Sequence, residues 1–478
     1  MKLKYEELEA KLFATEAQLR ETEARLLATE VKLESTTSLL KQALQKIYEL
    51  EQRLNKNSRN SSKPPSTDQK PDTAEKQKKK RKPRAGKNRK PFPKERVDHF
   101  VQCTRGCCPH CSSVNLESLC EKPFSWQQAE LPEVEAIVTQ YDCLKYKCND
   151  CKKRSCGDLP EGVPFSAFGP KLMAFVSCLT GRFHLAKREA VLLIKELYGV
   201  DLSNGSIINI EENVSRSLEE VYGRIHHHVI ETIFPRYYDE TTWRDSGKRH
   251  YVWVGTNHQA AFFRIDQRRS QEALKRLIGI HTQAPAITDR YNAYNILDGP
   301  RQYCLAHLIR DFHAYSEREG EDGEIGLQIE TELRKICRTH TKWKADEISK
   351  RSYSSTMRNC KHRLHERLID GITFGSDEFS GLCDRIEADF DRLWSFKSIE
   401  GMDPTNNMAE RDLRKLVLWR KKSYGTRSAR GQRFVERITS VIETLKKNNK
   451  SPLGYLEEVV TKFYLNQPAP FISPNLGF

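Results

Sequence analysis

Residues 12–54 carry an apolar residue every seven positions: Leu12, Leu19, Leu26, Leu33, Leu40, Ile47 and Leu54. Thr15, Thr22, Thr29 and Thr36 fall three places later, followed by Ala43 and Leu50. A strict seven-residue repeat keeps one stripe of a helix facing a partner helix. Residues 1–54 are therefore predicted as one long helix in a leucine-zipper-like coiled coil that joins subunits into a homo-oligomer. Four threonines weaken the seam, and the alternative is a single solvated amphipathic helix.

The repeat ends at Leu54. Residues 55–99 lack apolar periodicity and are rich in Asn, Ser, Pro and Lys, so they are expected to be a disordered basic linker. Lys and Arg outnumber Asp and Glu by 80 to 65, and residues 70–96 alone hold 13 basic and 3 acidic residues. Charge concentrated in this way attracts a polyanion, most often nucleic acid. No run of 18 apolar residues exists and the N-terminus has no signal-peptide core, so no membrane span and a cytoplasmic location are expected. At 478 residues the chain is too long for one core, and several domains are expected.

Nine of the 14 cysteines lie within residues 103–156. With no secretion signal, metal binding is the better reading than disulfides. Residues 100–165 are thus expected to form a zinc-ribbon-like module around Cys108-Pro-His-Cys111 and Cys148-Asn-Asp-Cys151. Each pair presents two sulfurs from one tight turn, and two pairs complete a closed tetrahedral structural site. Cys103, Cys107, Cys143 and Cys156 compete as ligands.

Residues 166–230 read as helices, the third capped by Ser203 and carrying Ile207, Ile210, Val214, Leu218 and Val221. They form either a helix-turn-helix or a plain connector, because Glu211 and Glu212 on that helix repel phosphate. Strands follow. One short strand ends at Tyr237-Tyr-Asp239, Tyr251-Val-Trp-Val-Gly255 and Ala260-Ala-Phe-Phe-Arg-Ile265 make an antiparallel pair, and Ala286-Ile-Thr-Asp289 closes another strand. With a helix from Ser270 to Ile278, the order is that of an α/β ribonuclease-H-like core over residues 231–450. A helical insertion interrupts it at about 316–395, and residues 451–478 are left as a C-terminal tail.

Three acids stand where such a sheet would gather them: Asp239 and Asp289 at strand ends, Glu410 opening a helix. Converging carboxylates are hard oxygen ligands for Mg²⁺ or Mn²⁺. Two such ions activate an attacking hydroxyl and stabilise the leaving oxygen in phosphoryl transfer. Glu240, Asp311, Asp403 and Asp412 lie close enough in sequence to be rival members of the set.

Several long motifs occur in order: Leu54-Asn-Lys-Asn-Ser-Arg-Asn-Ser-Ser-Lys-Pro-Pro-Ser; the two Cys-x-x-Cys pairs; Tyr238-Asp-Glu-Thr; Thr288-Asp-Arg-Tyr-Asn-Ala-Tyr; Cys304-Leu-Ala-His-Leu-Ile-Arg-Asp; and Thr405-Asn-Asn-Met-Ala-Glu-Arg-Asp-Leu-Arg. Through them the chain resembles the insertion-sequence-66 (IS66) family of bacterial transposases over nearly its whole length. The resemblance implies a zipper-like helix, a zinc-binding domain and an Asp-Asp-Glu transposase core. It assigns catalysis and magnesium to Asp239, Asp289 and Glu410, and zinc to Cys108, Cys111, Cys148 and Cys151.

The expected activity is metal-dependent cleavage at the ends of an insertion sequence, followed by attack of the freed 3′-hydroxyl on target DNA. The expected partners are the element's terminal repeats, target DNA, a second subunit and accessory proteins of the same element, in the bacterial cytoplasm at the nucleoid. His307, Arg310, Arg411, Arg414, Arg420, Lys421 and Lys422 surround the acids in sequence and are the candidate DNA contacts. Two other readings are a catalytically retired, transposase-derived DNA-binding protein and a ribonuclease-H-like nuclease without strand transfer.

Overall fold

The computed structural model describes residues 2–54, 91–117, 119, 124–232, 234–279 and 283–472. The linker motif after Leu54 and the basic run up to residue 90 lie outside the described residues. None of the described helices is long and apolar enough to cross a membrane. The chain divides into two compact units. The smaller draws on Lys70–Asp158 and Lys187–Ser206; the larger on Met1–Gln69, Leu159–Ala186 and Ile207–Phe478.

Helix α1 runs without a break over Lys2–Leu54. The threonines of its seam return their hydroxyls to the helix: Thr15 donates to the carbonyl oxygens of Lys11 and Leu12 at 3.0 and 2.8 Å, and Thr22, Thr29 and Thr36 repeat the pattern. This removes the polar cost of threonine on an apolar stripe. The seam leucines from Leu12 to Leu40 are open, with Leu33 67 % exposed.

In the smaller unit, strands β1 (Lys145–Lys147) and β2 (Arg154–Cys156) form an antiparallel hairpin around the second cysteine pair. Among the described residues of 100–146, almost every apolar side chain is exposed, Trp126 by 82 % and Ile137 by 97 %. Helix α3 (Lys187–Tyr198) also belongs to this unit, whereas α2 (Pro170–Gly181) belongs to the larger one. The helical stretch 166–230 is thus divided. Its third helix is also two helices, α4 (Asn204–Ser217) and α5 (Glu219–Glu231). Arg437 donates to the Ser215 carbonyl at 2.9 Å, and that carbonyl would otherwise accept from Glu219 in an uninterrupted helix.

The larger unit is built on five strands: β3 (Arg236–Asp245), β4 (Lys248–Thr256), β5 (Ala261–Asp266), β6 (Ala286–Thr288) and β7 (Arg301–Tyr303). Their order is β5-β4-β3-β6-β7. Strand β4 runs antiparallel to β3 and β5 on either side of it, and β6 and β7 run parallel to β3. Strand β3 does not stop at Asp239, as the sequence suggested, but continues six residues further. Thr241, Thr242 and Trp243 favour a strand, and the turn at Ser246 and Gly247, with φ of 49° and 79°, is the left-handed pair that a two-residue hairpin needs.

Helix α6 (Gln271–Ile278), capped by Ser270, follows β5. Helix α7 (Leu305–Ser316) follows β7 directly. The stretch expected to be a helical insertion holds α8 (Glu321–Lys344), α9 (Lys350–Phe374) and α10 (Asp377–Glu387). Helices α11 (Asn407–Ser423), α12 (Ala429–Lys447) and α13 (Pro452–Tyr464) complete the unit. The segment expected to be a tail therefore opens with a helix that buries Tyr455, Leu456, Val459 and Val460; that apolar face drives docking.

Edge strand β5 is closed by α12. The backbone N–H groups of Ala261, Phe263 and Ile265 donate to Thr444, Ser440 and Glu436 at 3.1, 3.0 and 2.6 Å. Alternate strand residues meet side chains four apart on the helix, so donors that would invite a foreign strand are satisfied internally.

Candidate active site

Asp239 lies in the middle of β3, the central strand. Asp289 follows the last residue of β6, its parallel neighbour, and Glu410 stands in the first turn of α11. Parallel neighbours bring Asp239 and Asp289 to one side of the sheet. What brings Glu410 there is Asn406, which is fully buried. Its side-chain amide donates to the Tyr238 carbonyl at 2.8 Å and its backbone N–H to Cys304 Sγ at 3.1 Å. Cys304 N–H in turn donates to the Thr288 carbonyl at 2.9 Å, and Leu305 N–H to the Pro404 carbonyl at 3.0 Å. One chain of bonds thus ties the residue before Asp239, the residue before Asp289 and the start of the Glu410 helix.

The carboxyls sense one another. Burial pushes the pKa of Asp239 well above its usual range, and the charges of Glu240, Asp289 and Glu410 push it the same way. Burial also raises Glu410; the Asp289 charge adds to this and Arg310 opposes it. Each acid is also held individually. Asp239 Oδ1 accepts from Glu240 N–H at 2.8 Å and Asp289 Oδ1 from Tyr291 N–H at 2.9 Å. Glu410 Oε1 lies 3.4 Å from Arg310 and 3.7 Å from His307 Nδ1. The three acids are not gathered within 4.8 Å of one another. Among the described residues, the group that is so gathered is Cys304, His307 and Glu410.

The rival acids are committed elsewhere. The Glu240 side chain is 1 % exposed and is held by Arg269 and the Tyr294 hydroxyl. Asp311 pairs with Arg290 at 2.7 Å. Asp403 is held by Lys344, by His340 and by the Tyr237 hydroxyl. Asp412 accepts from Thr256 Oγ1 at 2.8 Å and pairs with Lys447 at 3.0 Å.

The candidate DNA contacts separate into two groups. Arg411, Arg414, Lys421 and Lys422 are exposed. Arg310 and His307 are half-buried and face Glu410, and Arg420 donates to the Thr242 carbonyl and hydroxyl. Burial, helped by Arg310 and Arg290, pushes His307 down to about 3. The ring is therefore neutral at ordinary pH, and its Nδ1 is buried with no hydrogen-bond partner.

Sequence reasoning missed Arg269 and Arg301. Arg269 bonds Glu240, lies 3.9 Å from Asp289 and covers the Tyr291 ring at 3.7 Å. Arg301 donates to Thr288 Oγ1 and to the Asp289 carbonyl, both at 2.8 Å, and so fixes the backbone at Asp289. Arg269 sits in no motif that would have drawn attention to it.

The two cysteine pairs share one backbone form. Cys108 N–H donates to the Ser113 carbonyl and Cys148 N–H to the Lys153 carbonyl, both at 2.9 Å. Ser112 and Lys152, at the same place in each turn, have φ of 59° and 56°. Backbone N–H groups of His110 and Cys111 lower the Cys108 thiol, and those of Cys151 and Asp150 lower Cys148. Each turn is a thiolate-stabilising knuckle of the kind a zinc ion takes. Within each turn the cysteines meet, but the two turns do not bring three or more sulfurs into one cluster.

Residues 6–96 match a family of unknown function (DUF6444). No curated protein matches the chain. Residues 166–433, more than half of the chain, match the family described as Transposase IS66 family. With that match spanning the sheet, Asp239, Asp289, the insertion and the Glu410 helix, the chain belongs to the IS66 family of transposases.

Proposed function

We propose that this chain is a ribonuclease-H-like, Asp-Asp-Glu DNA transposase that cleaves the ends of an insertion sequence and transfers them to target DNA. The observation that carries the reading is the Asn406–Cys304 tie, which delivers Glu410 to the side of the sheet where the Asp289 charge raises both Asp239 and Glu410. The sheet order β5-β4-β3-β6-β7 with parallel β6 and β7 is the arrangement expected of that core.

Three carboxyls whose charges disfavour one another fit a hard divalent cation. Mg²⁺ or Mn²⁺ held by Asp239, Asp289 and Glu410 would supply the positive charge that favours the attacking and leaving oxygens of an in-line displacement. The protein's own groups position the reaction. Arg269 and Tyr294 keep Glu240 turned away from Asp239, and Arg301 fixes Asp289. Exposed Arg411, Arg414, Lys421 and Lys422 offer neutralising contacts to backbone phosphates. In strand transfer the 3′-oxygen of the element end bonds to a target phosphorus and gives its proton to solvent, the target P–O3′ bond breaks, and the leaving 3′-oxygen takes a proton from solvent.

The two cysteine knuckles would hold a structural Zn²⁺ through Cys108, Cys111, Cys148 and Cys151, because each tight turn brings its two cysteines together and backbone N–H groups lower the thiols of Cys108 and Cys148. The open leucine seam of α1 would pair two subunits so that two active sites hold two ends. The work would be done in the bacterial cytoplasm at the nucleoid, with accessory proteins of the element as further partners.

The test is cleavage and joining of labelled DNA carrying the terminal repeat, with Mg²⁺ or Mn²⁺, by wild type, Asp239→Asn, Asp289→Asn and Glu410→Gln. Wild type should cut and join; each variant should bind and do neither, a loss of at least about 10³-fold. Binding without cutting by wild type would instead indicate a retired DNA-binding protein. Cutting without joining would indicate a nuclease. A variant that still cuts removes its acid from the set.

A further inference from the structure

Glu410 does not turn only toward the other two acids. Its Oε1 lies 3.7 Å from His307 Nδ1, and Cys304 Sγ completes a group within 4.8 Å. Nδ1 is buried and has no hydrogen-bond partner, which is costly for a polar atom unless something else occupies it. Two ligands of one ion at about 2.1 Å stand roughly 3 Å apart when adjacent and roughly 4.2 Å apart when opposite. The observed separation falls between these. Arg310 reaches the same oxygen at 3.4 Å, longer than a strong charge-assisted bond, so it does not tie that oxygen down. Both side chains are reachable from solvent, Glu410 at 36 % and His307 at 22 % exposure.

Cys304 is a poor third ligand. Its sulfur is buried and already accepts the Asn406 N–H at 3.1 Å.

We propose that His307 is a nitrogen ligand, through Nδ1, to the catalytic cation that Glu410 holds, rather than a phosphate contact. The proposal rests on the reading of Glu410 as a metal ligand. A mixed imidazole–carboxylate set binds Mn²⁺ more readily than Mg²⁺, because Mg²⁺ suits all-oxygen sites. The site is then biased toward the softer ion, and His307 sets that bias.

The experiment uses the full chain, first supplied with Zn²⁺ so that the cysteine module is filled, then one equivalent of Mn²⁺ as probe. Electron spin-echo modulation reads nitrogen bonded to Mn²⁺ directly, without turnover. The expected result is a ¹⁴N coupling in wild type that changes to the ¹⁵N pattern when histidine alone is ¹⁵N-labelled. It should vanish in His307→Gln, with Mn²⁺ affinity roughly tenfold weaker and the activity ratio in Mn²⁺ over Mg²⁺ reduced. The labelling arm needs no variant, so a folding defect in His307→Gln does not block the test. Bound Mn²⁺ with no histidine coupling, or a coupling that persists in His307→Gln, overturns the proposal and leaves the three-acid reading standing. Absence of Mn²⁺ binding by wild type overturns both.

Discussion

The sheet-centred unit and the cysteine-rich module reach order by opposite means. In the first, Trp243, Trp253, Tyr237 and Tyr238 are buried on the two faces of the sheet, and buried polar groups close long-range bonds such as Asn406 to Tyr238. In the second, residues 100–146 leave Phe100, Trp126, Leu131 and Ile137 in solvent, and local order is concentrated in the two knuckles and one short hairpin. The first is stabilised by burial of apolar surface. The second has too little core for that, and the proposed zinc ion would supply what packing does not.

The sharpest way to break this comparison is chelation. Treatment with a zinc chelator, or Cys148→Ser, should speed proteolysis within residues 100–158 by at least about tenfold, since structural zinc contributes on the order of 10 kcal/mol to such modules. Residues 166–464 should survive as a resistant fragment. Equal protection of both regions after chelation would erase the distinction.

Within the packed unit, Asn406→Ala should lower end cleavage by roughly 100-fold, because Glu410 loses its register against Asp239. It should also destabilise the unit by about 1–3 kcal/mol by leaving the Tyr238 carbonyl unpaired in the interior. Urea melts followed by tryptophan fluorescence give the second figure. Unchanged cleavage would mean that Asn406 does not position Glu410.

Gly425→Ala tests how tightly the sheet's end is built. Gly425 has φ of 101°, and an added Cβ would stand 2.0 Å from the Arg244 carbonyl oxygen. The neighbouring Thr426 is bonded to Trp243, Asp245 and the Arg244 backbone. A loss of about 2–3 kcal/mol is expected; the wild-type melting point would show that the loop yields freely.

The smallest effect is a pH dependence. Burial raises Glu436 to about 7, against the opposing N–H of Ile265 and nearby arginines. A carboxyl raised in the folded state stabilises it fully below the unfolded pKa near 4.5. That contribution is lost as pH rises through about 7. Glu436→Gln keeps an acceptor for Ile265 and removes the ionisation. Relative to wild type it should therefore gain about 1–2 kcal/mol between pH 5 and pH 8. Parallel stability curves for the two proteins across that range would sink the assignment.

The sequence by itself determined the elements whose cause is local. The helical repeat of α1, the helix that begins after Ser270 and the antiparallel pairing of β4 and β5 are each written within a few neighbouring residues. The candidate acids were also legible, because each stands inside a recognisable motif. Tertiary structure decided the rest. Strand β3 runs past Asp239 because β4 pairs with it to the hairpin turn. Helices α4 and α5 separate because Arg437, more than 200 residues away, takes the Ser215 carbonyl. Residues 452–464 form a helix rather than a tail because its apolar face has a core to enter. The Asn406–Cys304 tie, the covering of β5 by α12 and the place of Arg269 between Glu240 and Asp289 all join residues far apart in the chain. Such bonds have no periodicity to reveal them; they exist only once the chain has closed its long loops and brought their partners within about 3 Å.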